Sequence, residues 1–211
     1  MVDRLIKGGH KVVVIDNLST GKKENLNKKA KFYKIDICSS KISQIFKREK
    51  PDIIYYLSGP INLRRDMKDP LFEKSIDVLG TFKMILDCSQ VLKVKKFIFI
   101  SSGGAIYSDA KVIPTPEDYQ ACPTSIYGLA NLIMERFLKD YSKSYNLNFI
   151  ILRLSNVYGP KQWESGVIPS FIISIIIKSG TSSPASMNFC AFFPSSVLSF
   201  LFVRRISPVD N

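Results

Sequence analysis

Lys11-Val12-Val13-Val14-Ile15-Asp16-Asn17-Leu18-Ser19-Thr20-Gly21 decides the fold. Val12 to Ile15 are four consecutive β-branched residues, and turn-forming residues follow at once. That pattern predicts a strand buried on both faces and ending at Asp16. Strands buried on both faces belong to parallel sheets covered by helices. The same pattern recurs at Lys31 to Ile35 (ending at Asp36), Ile53 to Leu57 (followed by Ser58-Gly59-Pro60), Phe97 to Ile100 (running into Ser101-Ser102-Gly103-Gly104) and Asn148 to Leu152. Between them Ser39 to Lys50, Pro70 to Leu92 and Ser125 to Tyr145 carry apolar residues at helical spacing. Strands alternating with helices predict an α/β, Rossmann-like doubly wound parallel sheet.

The ends depart from that scheme. Residues 1–7 read as the tail of a helix. A doubly wound nucleotide fold opens with a strand, a Gly-rich turn and a helix, and its strand order 3-2-1-4-5-6 puts the opening strand at the centre. The sequence holds no GxxGxxG, and Gly8-Gly9 falls between helix and strand, where no phosphate turn sits. The expectation is therefore a sheet lacking its first strand and turn, in a chain truncated at both ends. Two inner edges would be left unpaired, and the apolar stretch Phe189 to Val203 is the segment able to cover or fill the gap.

Composition removes several classes. With 45% hydrophobic and 11% aromatic residues among 211, the chain can bury a core and is not disordered. Thirty Lys+Arg against 18 Asp+Glu give +12, but the charges are scattered in pairs such as Lys22-Lys23 and Lys95-Lys96. That distribution is a solvated surface, and no nucleic-acid partner is expected. Cys38, Cys88, Cys122 and Cys190 are far apart, which fits free thiols in a reducing cytoplasm. The lone His10 has no Cys or His neighbours, so no metal site is expected. The apolar runs Phe171 to Ile177 and Phe189 to Val203 fall short of the roughly 20 residues that cross a bilayer.

Ser125-Ile126-Tyr127-Gly128-Leu129-Ala130-Asn131 resembles a YxxxK signature with Asn131 in place of lysine. Together with Val14 to Gly21, Ser101 to Tyr107, and Leu152-Arg153-Leu154-Ser155-Asn156-Val157-Tyr158-Gly159-Pro160, it carries a resemblance to a known family. The chain resembles, over residues 1–177, the NAD-dependent nucleotide-sugar epimerase/dehydratase family of extended short-chain dehydrogenases/reductases, nearest in type to the UDP-glucose 4-epimerases. On that resemblance Asp16 and Asn17 would meet the adenosine ribose, Asp36 and Ile37 the adenine, and Leu57-Ser58-Gly59 would line the NAD cleft. An acidic residue at position 16 favours NAD over NADP; read alone, without the rest of the motif, it is a helix N-cap or an Asx-turn. Ser102, with Ser101 behind it, would hydrogen-bond the reacting sugar oxygen, Tyr127 would act as base, and Asn156 would meet the phosphates of a UDP-hexose.

The resemblance implies a partial NAD-binding Rossmann domain at 1–165, then the start of a substrate lobe and an irregular apolar tail at 166–211. It also implies a homodimer. No acidic residue lies between Ser101 and Tyr107, which favours an epimerase over a dehydratase. Two positions depart from the family pattern: Asp77 replaces an Asn, and Asn131 replaces the lysine that activates the tyrosine. A free phenol has a pKa of about 10, so at pH 7 the missing ammonium is worth on the order of 4 kcal/mol of barrier. The expected function is an epimerase-family chain with weak or no activity. The alternative is a non-catalytic binding protein, RNA being the ligand that +12 would suit.

Overall fold

The computed structural model describes residues 1–19, 21–57, 71–157 and 200–204. In chain order the elements are α1 (Val2–Lys7), β1 (Lys11–Asp16), a 3-10 turn (Lys23–Asn25), β2 (Lys31–Lys34), α2 (Ile42–Glu49), β3 (Ile53–Tyr56), α3 (Leu71–Val91), β4 (Lys96–Ser102), α4 (Gly103–Tyr107), α5 (Ile126–Tyr145), β5 (Phe149–Leu154) and β6 (Phe200–Arg204). The five strands read from the sequence all form, each within two residues of its expected ends.

These strands lie in one sheet of order β2-β1-β6-β3-β4-β5. β1–β2, β3–β4 and β4–β5 are parallel, as the two-sided apolar runs require. The gap expected between β1 and β3 is filled from the chain's own tail. β6 pairs antiparallel with both neighbours, Val12 opposite Val203 on one side and Ile54 opposite Phe202 on the other. Phe200 to Val203 thus fill the gap, in a direction not legible in the sequence, and residues 189–199 of the expected filler lie outside the described residues.

Both faces of β1 are covered, which explains why it is buried from Val12 to Asp16, whereas Ile150 and Leu152 of β5 are exposed on one face. On one face α2, α3 and α5 close over Tyr56, Phe82, Phe97 and Phe99, all fully buried. Tyr56 and Phe82 meet edge-on at 4.9 Å between ring centroids, a favoured aromatic geometry. On the other face α1 lays Val2, Leu5 and Ile6 against Val12 and Val14. Each fully buried aliphatic or aromatic side chain of this size stabilises the fold by about 1.5–3 kcal/mol.

α5 carries clear termini: the Ser125 side chain accepts from the Gly128 amide at 3.0 Å, and Asn146 ends it in the left-handed conformation at φ 53°. The segment Ser101 to Tyr107 ends β4 and then forms the short helix α4. Gly103-Gly104 argue against a helix by propensity, but Ser102 supplies its N-cap and α5 packs against it. Ser58, Gly59, the domain boundary at 165, and the expected lobe start Gly166 to Pro169 lie outside the described residues.

Candidate functional site

The C-terminal edge of a parallel sheet is where loops diverge and ligands bind. At the β1–β2 end Asp16, Asn17 and Asp36 share one rim, while Ile37 is buried in the core. The Asn17 amide donates to Asp36 Oδ2 at 2.7 Å, and the Ile35 amide donates to the Asp16 carbonyl at 3.1 Å. Each polar side chain also braces its own loop. Asp16 Oδ1 accepts from the Leu18 amide at 2.5 Å, Asn17 Oδ1 from Ser19 at 2.9 Å, and Asp36 Oδ1 from Cys38 at 2.9 Å. These are Asx-turns, the local reading of Asp16, and they hold two carboxylates at one rim. Asp16 is buried, and Leu57 stands just past β3 on the same rim.

Farther along the edge stand Ser102 and Tyr127. Ser102 ends β4 and accepts from the Ala105 amide at 3.4 Å. A cap bond engages only an oxygen lone pair, so the hydroxyl proton is available to donate. Tyr127, partly buried, sits in the first turn of α5. What joins them is Gly128: a Cβ there would lie 2.2 Å from the Ala105 carbonyl oxygen and 2.9 Å from Pro123 Cβ. The backbone of α5 therefore touches α4 at the residue after the tyrosine. Asn131 is 1% exposed and turned back on its own helix, its Nδ2 donating to the Tyr127 carbonyl at 2.9 Å. Asn156 is exposed two residues beyond β5. Asp16 and Ser102 are three strand steps apart, about 14 Å.

A buried ionic network lies directly beneath, and the sequence reading did not find it. Glu135, 1% exposed, receives Ser101 Oγ at 2.7 Å and Arg153 through Nε at 2.9 Å and Nη2 at 2.6 Å. Arg153 Nη1 also donates to the Tyr107 hydroxyl at 2.5 Å, and its guanidinium lies over that ring at 4.9 Å. The Glu135 hydrogen bonds raise the Arg153 pKa despite its burial, with Tyr107 adding to the effect. Ser101, the second choice for a substrate-facing hydroxyl, is spent on this carboxylate. One buried charge thus ties together β4, which carries Ser102, α5, which carries Tyr127, and β5, two residues before Asn156. An open cleft of about 420 Å³ lies beside the pair, lined in part by Thr115, Glu117, Lys139 and Leu152. It takes in none of Asp16, Ser102, Tyr127 or Asn156.

Residues 1–183 match the family described as NAD dependent epimerase/dehydratase. The chain belongs to that family. A UDP-glucose 4-epimerase of Mycolicibacterium smegmatis is 34% identical over 179 residues, covering 81% of this chain and 57% of that protein. The UDP-glucose 4-epimerase of Lacticaseibacillus casei is 35% identical over 161 residues, 75% of this chain and 47% of that protein. Among solved structures, Thermotoga maritima UDP-glucose 4-epimerase with UDP-glucose matches with a TM-score of 0.76 and 36% identity, over 86% of this chain and 59% of that one. The UDP-glucose 4-epimerase of Thermus thermophilus, in complex with NAD, matches with a TM-score of 0.73 and 28% identity, over 86% and 59%. The chain spans about half to three fifths of these relatives.

For an NAD-dependent family member the two ends of the site differ in fitness. The Asp16, Asn17 and Asp36 rim has the acceptors that an adenosine ribose needs. At the pyrophosphate end the described residues offer no turn and helix N-terminus after the central strand. Helix N-termini and their free amides cradle that group when a helix follows the central strand. Here the central strand is β6, which runs antiparallel and so enters the sheet at this edge instead of leaving it.

Proposed function

We propose that the chain is the NAD-domain portion of a nucleotide-sugar epimerase of the UDP-glucose 4-epimerase type, weak or inactive in its own right. The observation carrying this reading is the joint placement of Ser102 and Tyr127 at the α4–α5 contact, on the sheet edge that also bears Asp16 and Asp36. In this reading Tyr127 takes the proton from a sugar hydroxyl, Ser102 donates a hydrogen bond to the same oxygen, and Asn156 meets the phosphates of a UDP-hexose. Bound NAD would supply the hydride store. Asn131 brings no charge to the phenol, and β6 brings no helix N-terminus to the pyrophosphate, which supports weak or absent activity.

The exposed residues Leu129, Ile133 and Phe137 recur every fourth position along α5 and support a homodimer. The free thiols Cys38, Cys88 and Cys122 support a cytoplasmic location. Among the described residues no helix is long and apolar enough to cross a membrane. Equilibrium dialysis against NAD tests the reading, alongside conversion of UDP-glucose to UDP-galactose. We expect NAD affinity weaker than millimolar and no conversion above background. Micromolar NAD affinity would refute the weak-binding part. Tight binding of RNA with steep salt dependence would favour the non-catalytic alternative.

A further inference from the structure

We infer that the slot between β1 and β3 is an acceptor site for an extended apolar strand, and that β6 of a second copy of this chain can occupy it. The demand for an occupant is strong. Val14, Ile15, Ile54 and Tyr56, on the two flanking strands, are 0% exposed, so the facing backbone groups lie deep in the sheet. Leaving one such buried group unpaired costs about 1–3 kcal/mol. β6 answers this with backbone pairing on both edges, opposite five residues of β1 and four of β3.

The specificity of the slot is weak by comparison. Phe200-Leu201-Phe202-Val203 is apolar at every position, with Ser199 and Arg204 setting its limits, and a second copy offers the slot the same four residues. An antiparallel strand sits where the surrounding order is parallel, so direction is not strictly read either. Nor does chain connectivity choose the donor. Leu154 and Phe200 are separated by residues 155–199, and a chain of that length reaches up to about 150 Å. The same pairing can then form within one copy or between two, and mass action decides the proportion.

The register supplies the test in the full chain. Val12 faces Val203, and Val13 faces Phe202. Directly opposed residues of an antiparallel pair share a face, with Cβ atoms about 4.5–5.5 Å apart. Using both pairs samples the two alternating pair types, one of which is the more permissive for a disulfide. Chains carrying Val12→Cys are mixed with chains carrying Val203→Cys under mild oxidation, and the same is done with Val13→Cys and Phe202→Cys. Mass spectrometry of the digest then identifies which peptides are joined, separating them from any disulfide made by natural cysteines. A control chain carries both substitutions of a pair.

The expected result is a 12–203 or 13–202 disulfide between chains in the mixture. Its initial fractional rate should fall about tenfold on tenfold dilution. Three results overturn the inference. One is a control that crosslinks internally while its mixture gives no such product, which makes β6 a fixed strand of its own copy. Another is a mixed product no more abundant than disulfides to the exposed Cys38, which marks random collision. The last is a control that fails to crosslink at either pair, which removes β6 from the slot.

Discussion

Replacing Gly128 with alanine sets two effects of opposite sign against each other. Gly128 lies inside α5, where alanine is favoured over glycine by about 1 kcal/mol. Against that, the new Cβ would fall 2.2 Å from Ala105 O, 2.9 Å from Ala105 C and 2.9 Å from Pro123 Cβ. Ordinary contact needs about 3.4 Å or more, so α5 and α4 must part by about 1 Å. The nearest obstacles are backbone atoms, which cannot swing aside as a long side chain would. Overpacking of this kind costs about 1–3 kcal/mol, and a backbone clash belongs at the upper end. The net expectation is a loss of about 2 kcal/mol, or about 4–8 °C in Tm for a chain of this size. Gly80 is the matched control, since it lies in α3 with nothing within 4 Å of its would-be Cβ. Gly80→Ala should stabilise by about 0.5–1 kcal/mol. Urea unfolding followed by far-ultraviolet circular dichroism measures both. Equal or greater stability of Gly128→Ala would show that α4 and α5 do not touch there. The link between Ser102 and Tyr127 would then lose its basis.

Glu135→Ala leaves Arg153 partly buried without its carboxylate and Ser101 without its acceptor, and should destabilise by about 3–5 kcal/mol. Adding Arg153→Met to that variant should recover part of the loss, and strictly additive effects in the double-mutant cycle would deny the coupling. Burial pushes the Glu49 carboxyl up, but hydrogen bonds from Lys31, Tyr33 and Arg48 outweigh it and hold the pKa below its ordinary 4.5. A lowered folded-state pKa means the stabilisation is present above pH 4.5 and is lost as the pH falls through the folded value. Glu49→Gln should therefore flatten the acid side of the stability curve, and an unchanged slope below pH 4.5 would contradict the assignment. Burial also raises the Cys88 pKa, while Cys38 and Cys122 are exposed. Iodoacetamide at pH 8 should label Cys38 and Cys122 before Cys88, read by peptide mass.

The parallel strands were legible because β-branched runs such as Val12 to Ile15 leave little else to form and both faces need cover. α4 was not, since Gly103-Gly104 have the lowest propensity short of proline and the helix rests on a cap and a tertiary contact. The site divides in the same way. Asp16, Asn17 and Asp36 met because each is fixed by a strand end and a local turn. The Glu135 network was invisible because its partners lie 34 and 18 residues away in sequence. One signal was present: Glu135 stands eight residues after Tyr127 and four after Asn131, on the inward face of α5, where an isolated buried carboxylate has to be paired.

On the proposed reading, the two features that weigh against activity act at different places, and so one cannot compensate for the other. Asn131 concerns the proton: its amide is engaged by the Tyr127 carbonyl, and a neutral group gives the phenol no electrostatic help wherever it points. β6 concerns the cofactor: a strand that enters the sheet at the ligand edge cannot end there in a turn and a helix N-terminus. Restoring charge with Asn131→Lys would act on the first alone. It would leave the strand direction at the pyrophosphate end unchanged. Neither feature touches the rest of the geometry. The Asx-braced carboxylates lie at one end of the edge, and at the other the α4–α5 contact is clamped from beneath by Glu135 and Arg153. That remainder is what a scaffold needs to fold, and folding asks nothing of the phenol's charge or of a bound cofactor.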